Sequence, residues 1–259
     1  MRYKSLNSLS PALFFKQIKD TFNALIDIIY PPSCSVCQKF LDTDGIHETL
    51  ICIDCLDDFR EIHSPFCTIC RTPFPSMGEE NHHCENCIRK RPHYRQLAAP
   101  YLYEGKLMDA IHNFKYKGKR DLGKSLGHLL ASFARKWLKN ITPSLIMPVP
   151  LHPEKIRERG FNQSLILARE VSKRLGNELD FLSLRRIRYT SPQTGLKRQE
   201  RRKNVRNAFE FKGETDIRDR DILLVDDVAT TGSTLNECAK QLKKHGCNDV
   251  FCLVLARTS

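Results

Sequence analysis

The stretch Ile222-Leu-Leu-Val-Asp-Asp-Val-Ala-Thr-Thr-Gly-Ser-Thr-Leu235 decides how the rest of the chain is read. Ile222 to Val225 is a short uninterrupted apolar run, the pattern of a strand buried on both faces in a parallel sheet. Asp226 and Asp227 stand where that strand is expected to end, and Ala229-Thr230-Thr231-Gly232-Ser233 follows as a loop of small residues. Leu235, Cys238, Ala239 and Leu242 recur at helical spacing, so a helix comes next, with Thr234 and Glu237 fitting a capping box. A helix N-terminus carries unpaired N–H groups and a partial positive charge, which suits this loop to a phosphate. Gly232 lets backbone approach a ligand closely, and the hydroxyls of Thr230, Thr231, Ser233 and Thr234 add donors. The paired carboxylates are acceptors for vicinal hydroxyls, or indirectly for a metal ion. Phosphate plus diol describes a ribose 5-phosphate.

The neighbouring segments supply the rest of an α/β domain. Ala98 to Tyr103 reads as a strand, Leu107 to Phe114 as a helix ahead of a basic turn, Lys115 to Arg120, and Leu122 to Leu138 as an amphipathic helix carrying Trp137 into the core. Leu145 to Val149 is a second short buried strand, and Asp249 to Ala256 a third. After Leu145–Val149 comes a proline-rich basic loop with His152, Lys155, Arg157 and Arg159, and Gly160-Phe-Asn-Gln163 then opens a helix from Ser164 to Leu175. Arg157 and Arg159 are candidates for holding a pyrophosphate across the strand ends from the phosphate loop. Arg185 to Arg206 gathers nine Lys/Arg against the single acid Glu200, a density that is costly unless an anion sits nearby. Thr190 to Gly195 is expected as a loop, Leu196 to Val205 as a short basic helix and Asn207 to Lys212 as an edge strand.

The N-terminal third is different in kind. Phe14, Ile18, Phe22, Leu25, Ile26 and Ile29 trace one face of a helix that Pro31-Pro32 ends, giving an amphipathic helix within residues 1–30. Four Cys-x-x-Cys pairs follow, Cys34/Cys37, Cys52/Cys55, Cys67/Cys70 and Cys84/Cys87, with intervals of 14 and 13 residues inside the first two and last two pairs. That is one unit duplicated, and each unit supplies the four thiolates of a structural zinc ribbon. A crossed arrangement, first pair with third, stays open, and His82 and His83 stand beside Cys84 as spare ligands. A closed tetrathiolate site leaves no open coordination position, so no catalysis is assigned to zinc. The double ribbon is set at 31–92 and the second domain at 95–259, each with a core of its own.

The 259 residues, 41% hydrophobic and 28% charged, are ordinary for a globular protein. The formal net charge of +12 favours an anionic partner. Two zinc ions on eight thiolates would lower it to roughly +8. No secretory signal or transmembrane segment is legible, since Lys16, Lys19 and Asp20 break the N-terminal apolar stretch, so the eleven cysteines point to a reducing, cytoplasmic setting.

Val225 to Thr234 also resembles the phosphoribosyl-diphosphate (PRPP) loop of type I phosphoribosyltransferases. The resemblance implies that Asp226 and Asp227 hold the ribose hydroxyls and serve catalysis, and that Ala229, Thr230, Thr231, Gly232, Ser233 and Thr234 bind PRPP. With the zinc pairs, Lys115-Tyr-Lys-Gly118, Arg159-Gly-Phe-Asn-Gln163, Gln193-Thr-Gly-Leu196 and Arg201 to Asn204, nearly the whole chain resembles the ComF family, bacterial competence-associated proteins with a zinc ribbon before a type I phosphoribosyltransferase domain. It implies a parallel sheet flanked by helices, two structural Zn²⁺, Mg²⁺ arriving with PRPP, and a mobile flap whose Lys197, Arg201 and Arg202 close over pyrophosphate. It further implies transferase chemistry with an unread acceptor and a link to DNA uptake, with single-stranded DNA and DNA-uptake proteins as partners. The alternative is binding of PRPP or single-stranded DNA without turnover, with Phe66, Phe74, Tyr94 and Tyr116 available for stacking.

Overall fold

The structure, a computed structural model, describes residues 31–41, 49–75, 80–190 and 198–259. The helix expected within residues 1–30, most of the loop after Thr190, and Lys197 lie outside them. Strands β1 (Gln96–Ala98), β2 (Tyr101–Leu102), β3 (Leu145–Pro148), β4 (Glu178–Leu179), β7 (Ile222–Ala229) and β8 (Val250–Arg257) form one parallel sheet in the order β1-β8-β7-β3-β4, with β2 also on β8. Strands β5 (Leu184–Arg186) and β6 (Phe209–Phe211) make a separate antiparallel pair. The helices are α1 (Ile53–Asp57), α2 (Glu85–Arg89), α3 (Gly105–Tyr116), α4 (Arg120–Trp137), α5 (Pro153–Arg159), α6 (Gln163–Leu175), α7 (Arg198–Val205) and α8 (Ser233–Lys244).

Alternation along the strands explains the layers. Ile146, Leu223, Val225, Phe251, Leu253 and Leu255 face a layer built from α3, α4 and α6. Leu145, Met147, Ile222, Leu224, Cys252 and Val254 face α8 and the β5–β6 pair. The chain leaves β3 toward β4 on one side and leaves β7 toward β8 on the other. The carboxyl ends of β3 and β7 therefore flank a switch point, where a sheet of this kind opens a crevice.

Several local expectations are revised. The strand expected over Ala98–Tyr103 is split into β1 and β2 at Pro100, which has no N–H to give a ladder. β7 does not end at Val225: pairing with β3 stops there, but pairing with β8 continues through Ala229 opposite Arg257. Asp226 and Asp227 are thus strand residues with one flank unpaired. The loop after β3 holds α5, begun by Pro153 and by His152 Nδ1 accepting from the Glu154 N–H, and ended by Gly160 at φ 80°. The capping box does not form. Gly232 caps α8, and Glu237 instead accepts from the Asn207 N–H at 3.0 Å. Trp137 is half-buried, edge-on to Phe251.

The buried residues of the two ribbons pack into opposite layers of the sheet. Cys34, Leu41, Ile51, Cys55 and Phe59 of the first ribbon join the α3–α4–α6 layer, while Ile62, Cys67, Ile69, Cys70 and Cys87 of the second join the opposite layer. Backbone bonds stitch the seam: the Leu97 N–H donates to the Ile69 carbonyl at 2.7 Å and the Ile62 N–H to the Pro100 carbonyl at 2.8 Å.

Candidate functional site

The ribbons repeat in atomic detail. The Cys34 and Cys67 N–H groups donate to the Lys39 and Thr72 carbonyls, and the Gln38 and Arg71 N–H groups donate back to the Cys34 and Cys67 carbonyls. Gln38 and Arg71, at equivalent positions, both take positive φ, 67° and 60°. Cys52 and Cys84 precede α1 and α2, and their N–H groups donate to the Cys34 and Cys67 sulfurs at 3.3 Å in each case. The four sulfurs of Cys34, Cys37, Cys52 and Cys55 lie within 4.8 Å of one another, as do those of Cys67, Cys70, Cys84 and Cys87. This settles the pairing as first with second and third with fourth. The closest inter-pair contacts, Cys37–Cys52 at 3.6 Å and Cys70–Cys84 at 3.7 Å, match the edge of a tetrahedron around zinc, about 3.8 Å for Zn–S bonds of about 2.3 Å. Two structural zinc sites fit these residues, with His82 stacked on Phe74 at 4.0 Å and in neither cluster.

A second centre lies at the switch point. Asp226 and Asp227 wall a cavity of about 460 Å³ together with Lys115, Tyr116, Lys155, Arg159, Gln163, Ser164, Arg186, Thr230 and Thr234. Asp226 Oδ1 accepts from the Ser164 hydroxyl at 2.7 Å and from the Asp227 N–H at 2.9 Å. Asp227 Oδ1 accepts from the Val228 N–H at 2.7 Å, and its Oδ2 lies 2.8 Å from the Lys115 ammonium. Burial and then the Asp227 charge push the Asp226 carboxyl up to about 7, against the pull of Ser164, the Asp227 N–H and Lys115. Burial pulls the Lys115 ammonium down, but Asp227, with Asp226 and Tyr103 behind it, reverses this and holds it above the usual lysine range. Opposite the acids, Arg159 lies over the Tyr116 ring at 5.2 Å and donates to Gln163 Oε1, and Lys155 pairs with Glu158.

The sequence-derived candidates divide by position. Arg159 lines the acid cavity. Arg157 lies one turn-face away on α5, is exposed and does not line it, because helical spacing sends 155 and 159 to one side and 157 to the other. Thr230 and Thr234 line it; Thr231, Gly232 and Ser233 line a neighbouring cavity, and Ala229 is buried at the end of β7. Gly232 sits at φ 70°, and a Cβ there would come within 3.1 Å of the Tyr94 hydroxyl. The Thr231 and Ser233 hydroxyls are 2.7 Å apart and brace the turn. Arg201 and Arg202 belong to α7, their side chains outside the described residues, as is Lys197. Tyr94 is 4% exposed and Phe66 lies under the Arg71 guanidinium at 3.6 Å, so neither offers a free face for stacking.

Lys115, Arg186 and Ser164 went unassigned to the site. The signal for Lys115 was the cationic end of the helix preceding the basic turn. Arg186 is held half-buried by Phe209 and Thr190 from β5, a position visible only once β5 and β6 pair.

Residues 25–88 match the double zinc ribbon domain family, and residues 162–259 match the phosphoribosyl transferase domain family. Competence protein F of Haemophilus influenzae is 30% identical over 80% of this chain and 90% of its own length. The DNA utilization protein YhgH of Escherichia coli O157:H7 is 32% identical over 87% of this chain and 90% of its own. The chain belongs to the ComF family. Its parallel sheet with flanking helices is that of the phosphoribosyltransferase-like domain, carried on a double zinc ribbon. Among solved structures, a purine phosphoribosyltransferase from Pyrococcus horikoshii overlaps 51% of this chain and 70% of its own, at 20% identity and a TM-score of 0.32, too loosely to weigh. Among the described residues no helix is long and apolar enough to cross a membrane.

Proposed function

We propose that this ComF-family chain binds PRPP in the acid cavity and transfers its phosphoribosyl group, losing pyrophosphate, in a cytoplasmic role linked to DNA uptake. One observation carries the reading. Two buried adjacent carboxylates face Lys155, Arg159 and Arg186 across a crevice at the sheet's switch point, beside a glycine-turned loop of hydroxyls. Asp226 and Asp227 accept from the ribose hydroxyls; the loop from Ala229 to Thr234 takes the 5-phosphate; Arg159, Lys155 and the flap residues Lys197, Arg201 and Arg202 face the pyrophosphate. Besides the paired acids, the only carboxylate among the described lining residues is Glu158, already engaged by Lys155, which fits Mg²⁺ arriving on PRPP. Bound there, Mg²⁺ would help neutralise the leaving group. The protein holds the ribose by its diol and the leaving group by cations, favouring charge separation at C1.

The link to DNA rests on the names of Competence protein F and the DNA utilization protein. A second reading, binding of PRPP or single-stranded DNA without turnover, has one observation behind it: among the described residues no histidine lines the acid cavity to serve an acceptor as base. Titration with PRPP and Mg²⁺, with and without oligonucleotide, while following pyrophosphate release separates the two. Saturable binding with release supports transfer; binding without release supports the second reading; no binding overturns both PRPP assignments.

A further inference from the structure

Behind the phosphate loop lies a second cavity, of about 510 Å³, within the range of small-molecule sites. Four segments border it: the run from the second ribbon into the sheet, the end of α7, the first turns of α8 and the end of β8. Its lining carries Lys90, Arg91, Lys203, Arg206, Lys240 and Arg257 against one carboxylate, Glu237. Glu237 is already engaged by the Asn207 N–H at 3.0 Å and by Lys240 at 3.4 Å. Cys70 and Cys87 also border the cavity, and a zinc-filled tetrathiolate would add a formal charge of about −2, leaving the lining positive. α8 is twelve residues long and turns its N-terminus toward this space through Thr231, Gly232 and Ser233. An independent sign comes from Arg257. It is 5% exposed, its Nε donates to Thr72 and its Nη2 to Thr72 and Cys70 Sγ, and its Nη1 has no hydrogen-bond acceptor among the described residues. A buried guanidinium N–H without an acceptor is costly unless an anion completes it.

We propose that this cavity is a second anion site, taking a small oligophosphate of two or three linked phosphates. Among the described lining residues the aromatic rings are the buried Tyr94 and the exposed His93 against six cations, so the site reads phosphate charge first. Cations from four separate segments converge on one cleft, which suits a compact multivalent anion.

The test is calorimetric titration of the zinc-loaded full chain with tripolyphosphate near physiological ionic strength, with oligothymidylate as the parallel arm. Lys90→Ala/Arg91→Ala/Lys240→Ala should weaken tripolyphosphate binding about tenfold or more, the scale of one lost charge-assisted contact. Lys136→Ala/Lys139→Ala, exposed residues that line neither cavity, should change it less than about twofold. Zinc content guards against a misfolded triple variant, and Lys240→Glu alone, on a partly exposed helix face, should weaken binding without touching the ribbon. Unchanged affinity in both α8-face variants, an equal loss in the Lys136/Lys139 variant, absence of binding, or oligothymidylate binding where tripolyphosphate does not would each overturn the assignment. Because these variants leave Asp226 and Asp227 untouched, failure here leaves the PRPP reading to be judged on its own titration.

Discussion

The two zinc ribbons share a spacing, a pair of positive-φ turns and matching N–H···S bonds, yet they touch opposite faces of the sheet and serve different parts of the site. The first packs with α3, the helix whose last turn delivers Lys115 to Asp227. It is tied there by the Leu50 N–H on Ser125 Oγ at 2.9 Å and by the Lys119 ammonium on the Ser35 carbonyl at 3.3 Å. The second reaches the loop that follows β7. Arg257 stands opposite Ala229 in the sheet and donates through Nη2 to Thr72 at 2.6 Å, with Cys70 Sγ at 3.7 Å. The segment after that ribbon places Tyr94 against Gly232 and the His93 N–H on Asn236 Oδ1 at 2.8 Å. Duplication of a metal-binding unit has thus given one copy influence over charge in the acid cavity and the other over the shape of the loop.

The yardstick is the site itself. Asp226→Ala/Asp227→Ala should cost PRPP about 2–4 kcal/mol by titration, taking charged hydrogen bonds at about 1.5–3 each and allowing for non-additivity. Unchanged affinity would remove the diol assignment, and with it any meaning in asking which ribbon matters more.

Against that yardstick the ribbons should separate. Cys34→Ser and Cys67→Ser should each reduce bound zinc from two to one. Because both clusters are continuous with the main core, each should also lower the melting temperature of the whole chain. PRPP affinity, measured where both variants remain folded, should fall by about 1–2 kcal/mol for Cys67→Ser and by clearly less for Cys34→Ser, since the second cluster is bonded to Arg257, which stands opposite the end of the strand that launches the loop. Equal losses would mean the asymmetry of contacts has no energetic counterpart. A Cys34→Ser chain whose melting is unchanged would restore the picture of independent cores.

Much of this was legible from the sequence because local chemistry fixed it. The Asp-Asp pair, the Thr-Thr-Gly-Ser turn and the Cys-x-x-Cys spacing each name their geometry within a few residues. What stayed hidden depends on what lies across the sheet. β7 passes Val225 because β8 remains on its other edge, and no residue of β7 records that. Arg157 and Arg159 look alike in a chain and part company once α5 forms. The packing of each ribbon on its own face of the sheet was invisible because Ile51, Phe59, Ile62 and Ile69 read equally well as the interior of a small module or as one side of a seam.

Arg257→Met isolates the second ribbon's link without removing a zinc ligand. The thioether keeps much of the buried volume but loses the donors to Thr72 and Cys70. Zinc at the second cluster should dissociate faster to a chelator, by about tenfold, while release from the first stays as it was. Equal release rates from both clusters in the variant would show that the guanidinium packs beside the sulfur without supporting it.

The smallest expected effect belongs to the first ribbon's side, and it is a shift in pH rather than a loss of affinity. Asp226 titrates near 7 because it is buried beside Asp227, and the Lys115 charge holds it from going higher. A raised carboxyl favours the protonated folded state, so its contribution to stability is present at low pH and is lost as pH rises toward 7. Diol binding runs the other way, because the carboxylate is the better acceptor, so PRPP affinity should climb with pH and level off above about 7. Lys115→Met removes the neutralising charge and should move both changes upward by about one pH unit, read as the midpoint of the affinity profile. Cys34→Ser, which loosens the layer holding α3, should shift the midpoint in the same direction by less, whereas Cys67→Ser should lower affinity with the midpoint in place. A midpoint that moves with the second ribbon and not the first would reverse the division of labour between them.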